Sequence, residues 1–544
     1  MNRDQMISRL EDPGEIWDFL IVGGGATGVG IAVDASSRGY STLLIEQNDF
    51  GKGTSSRSTK LIHGGVRYLQ QRNVSLVYEA LKERGNLIKN APHLVRSIAF
   101  VVPGYDIWGN SYYGAGLKLY DMLAGRRRIG RSKWISRKQM LILVPTIEPK
   151  HLRGGVIYHD AQFDDSRLLI NLAQTAAESG AGIINYFKAD DLIKENGKVK
   201  GVTAVDLETL REYKLKAKVV INATGIFSDN LRKIDRTDSE NIIKPSQGVH
   251  IVLNKSFLPG KTAVLIPQTD DGRVLFAIPW KEHVLIGTTD TPVKTPSLEP
   301  LAKEEEITFL LSHISRYLTK KPEINDVLSI FAGIRPLIND LNAKSTASLS
   351  RDYKIEVSQS NLLTVAGGKW TTYRKMAEDT VNTAIELAGL KFVQSTTKNM
   401  QIHGYCSQND SHSDTELHPY LKDYGSDSRE IEELIKQNSA LSEELYPSSG
   451  IFAGEVLWTV RHEMARNIED FLARRRRILF LNVQLGLKMA PKVAEIMARE
   501  LKKDKNWIDR QLNNYYNLSL NYLPANYIQN PNYTQNSNYI QNQD

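Results

Sequence analysis

The run Phe19-Leu-Ile-Val-Gly-Gly-Gly-Ala-Thr-Gly-Val-Gly30 narrows the choice of fold more than any other stretch of the chain. It reads as a buried strand that enters a glycine-rich turn and leaves it as a helix. Gly23, Gly25 and Gly28 have the GxGxxG spacing. In that motif the first glycine allows a tight turn, the second lets backbone approach a pyrophosphate, and the third lets the helix pack on the strand. The helix N-terminus offers that anion N–H groups and a favourable dipole. A second strand, Ser41-Thr-Leu-Leu-Ile-Glu46, ends in a carboxylate about 20 residues further on, where a dinucleotide fold needs one for its ribose hydroxyls. Ordinary strand-turn-helix junctions also contain glycines, so the motif gains its weight from Glu46. The kind of dinucleotide stays open at this point.

With 544 residues, 41% of them hydrophobic, the chain can bury a large core and should divide into two or three domains. Cys406 is the only cysteine, which excludes an intrachain disulfide framework and a cysteine-based metal site and fits a reducing compartment. No metal site is expected. Residues 1–17 carry Asp4, Glu11, Asp12 and Glu15 without an apolar run, unlike a signal peptide, so a cytoplasmic chain is expected. The most apolar window, 19–35, contains the glycine turn and Asp34 and is too short for a membrane span.

The net charge of +7 is small for this length but local. Lys118, Arg126, Arg127, Arg128, Arg131, Lys133, Arg137 and Lys138 face a single acid, Asp121, within one short segment. Beside them lie Trp108, Tyr112, Tyr113, Leu117, Leu119, Tyr120, Leu123 and Trp134. Cations mixed with amphipathic aromatics suit the headgroup level of an anionic membrane, and a solvated face beside core aromatics is the alternative. Nucleic-acid binding uses the same residue types, but it is not expected here.

Further along, Lys218-Val-Val-Ile-Asn-Ala-Thr-Gly225 and Leu362-Leu-Thr-Val-Ala-Gly-Gly-Lys369 repeat the strand-to-glycine junction, so one nucleotide domain is assembled from distant segments. Between them, residues 246–300 hold short β-rich runs with a hairpin signal at Asp271-Gly272, which predicts an inserted antiparallel sheet. The expected layout is an N-terminal segment 1–16 and a nucleotide domain over 17–390, interleaved with a substrate domain (mainly 90–150 and 246–355). A helical domain 391–510 follows. Residues 461–477 carry charges at helical spacing and read as a salt-bridged surface helix. Residues 511–544, with Asn526-Tyr-Ile-Gln-Asn, Asn532-Tyr-Thr-Gln-Asn and Asn538-Tyr-Ile-Gln-Asn at six-residue intervals, read as a disordered low-complexity tail.

The order of motifs resembles the FAD-dependent, respiratory glycerol-3-phosphate dehydrogenases from about residue 17 to 510. The motifs are Gly23-Gly-Gly-Ala-Thr-Gly28, Ser55-Ser56, Lys60-Leu-Ile-His-Gly-Gly-Val-Arg-Tyr-Leu69, Ala223-Thr-Gly225, Ile286-Gly-Thr-Thr-Asp290 and Gly333-Ile-Arg-Pro-Leu337. Ser350-Arg-Asp-Tyr353, Gly367-Gly-Lys-Trp-Thr-Thr-Tyr-Arg374 and Arg461-His-Glu-Met-Ala-Arg466 complete the set. The resemblance implies an α/β fold: a Rossmann-like FAD-binding domain with an inserted antiparallel-sheet substrate domain, plus a C-terminal helical domain. It also implies FAD as cofactor, oxidation of sn-glycerol 3-phosphate to dihydroxyacetone phosphate, and electrons passed to membrane ubiquinone or menaquinone. A peripheral position on the inner face of the cell membrane follows, and a homodimer is left open. No Asp-x-Asp-x-Asp-Gly loop occurs, so a bacterial-type enzyme without calcium control is expected.

The residues that match the family carry the expected site. Gly23, Gly24, Gly25, Ala26, Thr27, Gly28, Glu46, Thr54, Ser55, Ser58, His63, Gly64, Ala223, Thr224, Gly225, Gly367, Gly368 and Thr371 are the expected cofactor contacts. Oxidising a secondary alcohol needs a base for the hydroxyl proton and, for this substrate, an anion clamp. Arg335 and Arg351 are the candidate clamp because a guanidinium engages phosphate bidentately, with Tyr68 adding a hydroxyl. His250 is the first choice of base, ahead of Lys369 and His63. Lys369 could also bind substrate and stabilise negative charge. Two other readings stand beside this one: a glycerol-phosphate oxidase that makes peroxide, and a non-catalytic, nucleic-acid-associated flavoprotein.

Overall fold

The apolar run Ile16–Val22 is buried along most of its length, as strands inside parallel sheets are. This computed structural model describes residues 1–12, 14–65, 74–105, 107–267, 269–339, 352–407 and 418–524, with 107–115, 126 and 418–419 as backbone alone. Nine elements position the site: β1 (Ile16–Val22), α1 (Ala26–Ser37), β2 (Thr42–Ile45), β3 (Glu212–Asn222), β4 (Ile243–Asn254), β5 (His283–Gly287), β6 (Val327–Ile338), β7 (Leu363–Gly367) and α2 (Tyr373–Ala388).

In the first sheet β1 pairs in parallel with β2 on one side and β3 on the other, and β3 pairs in parallel with β7. Val22 lies beside Ile45 and Asn222, so the turns that follow β1 and β3 open at one edge. The three strand-to-glycine junctions expected from the sequence therefore belong to one sheet. Helix α1 packs on this sheet through small residues; a side chain at Gly30 would meet the Tyr373 ring of α2 at 2.8 Å.

The inserted sheet has ten strands and is almost wholly antiparallel. β4 lies between β5 and β6, with His250 opposite Gly287 on one side and Phe331 on the other. The sheet also takes Gly154–Gln162 and Leu61–Ile62, outside the expected substrate segments, and pairs Ala263–Ile266 in parallel with Arg96–Gly104. Tyr353–Val357, near the expected end of the substrate domain, instead pairs with β7.

The helical region shares one core with the inserted sheet, where Phe100, Ile278 and Phe331 join Phe471, Leu479 and Val493. It runs past 510: Lys505–Leu520 is a helix, and Tyr515, Tyr522 and Leu523 are buried. The repeats from Asn526 lie outside the described residues. Residues 461–477 are not a surface helix. The helix Ala453–His462 ends, a π-helical turn spans Asp470–Arg475, and Glu463, Asp470, Arg474, Arg475 and Arg477 are buried. The charges turn inward because the nucleotide domain supplies partners: Asp49 accepts from Arg474 and Arg475 at 2.5 Å each, and Arg167 donates to Glu463 at 2.5 Å.

Candidate active site

The first turn behaves as its glycines require. Gly23 has φ +115°, and a side chain there would come within 2.6 Å of the Ala223 carbonyl oxygen. Helix α1 begins at Ala26, whose N–H donates to Ser55 Oγ at 2.9 Å. The Glu46 carboxylate accepts from the Gly24 N–H at 2.6 Å and the Asn48 N–H at 2.8 Å. Burial raises its pKa, and those two bonds oppose the shift.

A cavity of about 470 Å³ opens at this sheet edge. Gly23, Gly25, Glu46, Thr54, Ser55, Ala223, Thr224 and Gly225 line it. The place is the one where open α/β sheets bind ligands, outside the carboxyl ends of their strands. Gly25, the N-cap of α1 and suited to a pyrophosphate, and Glu46, a carboxylate suited to a ribose, both line it, so the residues fit a dinucleotide.

A second cavity, about 180 Å³, shares Thr54 with the first. Ser58, Thr59 and His63 reach it from the loop after β2, and His250 and Arg335 reach it from the inserted sheet. Gly368, Lys369 and Thr371 come from the junction after β7. The three pieces are tied together: Thr54 Oγ1 donates to the Ile334 carbonyl at 2.7 Å, and Trp370 Nε1 donates to the Ser55 carbonyl at 2.8 Å.

His250 is almost fully buried. Its ring stacks on Phe331 (centroids 4.8 Å apart), and Nε2 lies 3.0 Å from Thr59 Oγ1. Gly287 makes room for it, since a Cβ there would meet His250 Cδ2 at 2.1 Å. Burial, followed by the Lys60 and Arg335 cations, holds the imidazole well below the usual histidine value, so it is neutral at physiological pH. A neutral ring in a cavity is able to accept a proton.

Arg335 crosses from β6 toward β4 and β5. It donates to the Gln247 carbonyl at 3.3 Å, Thr288 Oγ1 at 3.2 Å and the Thr289 carbonyl at 3.1 Å. Asp290 lies 3.3 Å away and is itself held by Ser246 Oγ. The guanidinium is thus aimed into the cavity by its own strand neighbours, and its charge is shared with one carboxylate. Lys369 follows the Gly367-Gly368 pair, with φ +82° and +81°, at the start of the short helix Trp370–Thr372.

Gly24, Ala26, Thr27, Gly28, Gly64 and Gly367 line neither cavity. Gly64 faces Tyr120, whose hydroxyl accepts its N–H at 2.8 Å. Tyr68 and Arg351 lie outside the described residues. Sequence reasoning missed Thr59 and Lys60. Lys60 stood only as the first residue of a family motif, Thr59 had no local signal beyond a polar loop between two glycine-rich stretches, and the partner that gives Thr59 its role lies 191 residues away.

Comparison with known proteins follows the same two parts. Residues 18–374 match the family profile of FAD dependent oxidoreductases, and residues 358–507 match that of the C-terminal domain of alpha-glycerophosphate oxidase. The mitochondrial glycerol-3-phosphate dehydrogenase of Homo sapiens is 39% identical over 541 residues, covering 93% of this chain and 73% of that protein. The mitochondrial glycerol-3-phosphate dehydrogenase of Arabidopsis thaliana is 40% identical over 526 residues, covering 90% and 84%. Among solved structures, the glycerol-3-phosphate dehydrogenase from Bacillus halodurans complexed with FAD matches with a TM-score of 0.79 and 30% identity, over 96% of this chain and 97% of that one. The L-alpha-glycerophosphate oxidase from Mycoplasma pneumoniae shares the fold at 19% identity (TM-score 0.53), over 71% of this chain and 98% of its own.

Proposed function

Since this chain belongs to the FAD-dependent glycerol-3-phosphate dehydrogenases, we propose that it oxidises sn-glycerol 3-phosphate to dihydroxyacetone phosphate with a membrane quinone as electron acceptor. FAD is the cofactor. One observation carries the reading: Arg335, His250 and Lys369 share a cavity that meets the nucleotide cavity at Thr54. A cation, a neutral imidazole and a second cation around one small space suit a phosphorylated alcohol.

When bound, FAD supplies the acceptor for the hydride that leaves the substrate carbon. The protein does the rest. Arg335 engages the phosphate dianion, with Arg351 and Tyr68 as further contacts. Thr59 holds His250 with Nε2 toward the cavity, and the substrate hydroxyl replaces Thr59 there and gives its proton to Nε2. A dianion arriving at Arg335 offsets one of the two cations that depress His250, which makes the imidazole a stronger base once substrate is in place. Lys369 stabilises the alkoxide charge that develops as the proton leaves, and His63 lines the loop beside it.

The acceptor is argued from the surface. Within residues 118–142, Met122 (70% exposed), Ile142 (68%), Leu119 and Trp134 are exposed, as are Lys118, Arg131, Lys133, Arg137 and Lys138. Exposed apolar groups among cations favour an anionic lipid surface, where ubiquinone or menaquinone resides. Among the described residues no helix is long and apolar enough to cross a membrane, which is compatible with a peripheral place on the inner face of the cell membrane. The match of residues 358–507 to an oxidase domain favours a second reading, with oxygen as acceptor. Purified holoenzyme is expected to reduce a soluble quinone analogue far faster than oxygen and to bind anionic vesicles. Rapid peroxide formation without vesicle binding would establish the oxidase instead.

A further inference from the structure

Across the Phe331 ring on which His250 stacks lies a buried charged cluster to which the proposed chemistry assigns no contact with substrate. Lys60 is fully buried, and its ammonium donates to the Ser56 carbonyl at 2.9 Å and Asp165 Oδ2 at 2.7 Å. Arg477, also buried, donates to the same Ser56 carbonyl at 2.6 Å and to Asp165 Oδ1 at 3.2 Å. Aromatic rings enclose the pair: Lys60 Nζ lies 5.4 Å from the Trp280 ring centre, 5.3 Å from Phe331 and 5.8 Å from Phe480. Phe331 is the ring on which His250 stacks. Burying a lysine costs several kcal/mol of desolvation that partners only partly offset, so such a residue calls for an explanation.

The backbone adds a second, independent observation. Lys60 has φ +62°, the left-handed region that residues with a Cβ rarely adopt and that recurs at functional sites. The Ser58 side chain braces the same turn, accepting from the Lys60 N–H at 3.1 Å and donating to Asp165 at 2.6 Å. What this turn presents is Thr59, whose hydroxyl is the hydrogen-bond partner of His250 Nε2.

We infer that Lys60 is the positioning residue of the proton-accepting step: its ammonium, clamped by Asp165 and Ser56, fixes the turn that aims Thr59 at His250 and keeps a cation behind the imidazole. The inference rests on His250 as the base. The charged and titratable groups around that ring are Arg57, Lys60 and His63 from the loop, Arg335 from β6 and Lys369 from the junction after β7. Those around Lys60 are Asp165, Asp164 and Arg477; burial pushes Lys60 down to about 7 against the pull of Asp165, so it is a cation over the acidic range that the test reads. A cation disfavours the imidazolium, so losing the Lys60 charge moves His250 toward its ordinary value, whereas the Thr59 hydroxyl, able to donate or to accept, fixes the position of the ring.

The test is the pH profile of kcat/KM for sn-glycerol 3-phosphate, measured on FAD-loaded enzyme. Lys60→Gln is expected to move the acidic limb upward by about one pH unit, and Lys60→Arg to restore it toward the wild-type position. Thr59→Val leaves the ionic cluster intact, so it carries the test should Lys60→Gln fail to fold, and it is expected to displace the limb from the wild-type position, up or down according to whether the hydroxyl donates to or accepts from Nε2. Wild-type profiles in Lys60→Gln, or in Thr59→Val should that variant alone fold, would overturn the inference. His250→Asn separates this failure from that of the base itself. An acidic limb that survives in His250→Asn removes the base assignment, whereas a limb lost there but unmoved by the other variants removes only Lys60.

Discussion

Arg335 shows how a single side chain is prepared for an anion. Its donors are already engaged with the Gln247 and Thr289 carbonyls, Thr288 Oγ1 and Asp290, so the guanidinium is fixed in direction before any phosphate arrives. Pre-paid ordering of this kind converts contact energy into affinity. Replacing Arg335 with leucine is expected to raise KM for glycerol 3-phosphate by about 100-fold, from the roughly 2–3 kcal/mol lost with one arm of a desolvated charge pair, while FAD stays bound. An unchanged KM would move the clamp elsewhere. His403 illustrates the same economy of charge away from the site. It lies between Glu178 (2.5 Å) and Asp427 (2.8 Å), and although burial lowers its pKa, those carboxylates raise it to about 9. The folded value lies above the unfolded one, so the stabilisation is fully present below the ordinary histidine value and is lost as pH rises through about 9. Urea midpoints of wild type and His403→Gln should therefore differ at mildly acidic pH and converge in strongly alkaline buffer.

At the scale of elements, the site depends on how distant pieces are locked. The loop after β2 bonds to β6 through Thr54, to the β7 junction through Trp370, and to the helical region through Lys52, which pairs with Glu469 at 2.8 Å. The heaviest lock is Asp49, where Arg474 and Arg475 of the π-helical turn converge on one buried carboxylate. Removing one partner of a buried pair leaves the others charged and desolvated, at a cost of about 3–5 kcal/mol. Asp49→Asn should lower the urea midpoint of unfolding accordingly, and an unchanged midpoint would show that the cluster contributes nothing net. This lock also explains a misreading. The charges of residues 461–477 recur at helical spacing, which ordinarily marks a solvated face, and nothing local announces that Asp49 and Arg167, hundreds of residues away, will draw them inside.

For the whole molecule, what the chain reveals in advance divides by range. β1, α1, β2 and the junctions at Ala223-Thr-Gly225 and Gly367-Gly368 were legible because strand, turn and helix are local, and their meeting at one sheet edge follows from parallel pairing. The meeting of His250, Arg335 and Lys369 came from family resemblance rather than from spacing. Thr59, Lys60 and Asp165 were not legible, because a hydrogen bond across 191 positions and a buried ion pair across 105 leave no periodic trace. The fate of Lys505–Leu520 was missed for a related reason: its apolar face is sparse, and its burial depends on the sheet it meets. Two cavities joined at Thr54, one shaped for a dinucleotide and one lined by Arg335, His250 and Lys369, make a claim about the reaction that one measurement can decide. The FAD-loaded enzyme is mixed anaerobically with sn-glycerol 3-phosphate and its visible spectrum followed. Bleaching of the oxidised flavin, with one dihydroxyacetone phosphate formed per FAD, is the result predicted; a spectrum that stays yellow at saturating substrate would contradict the account.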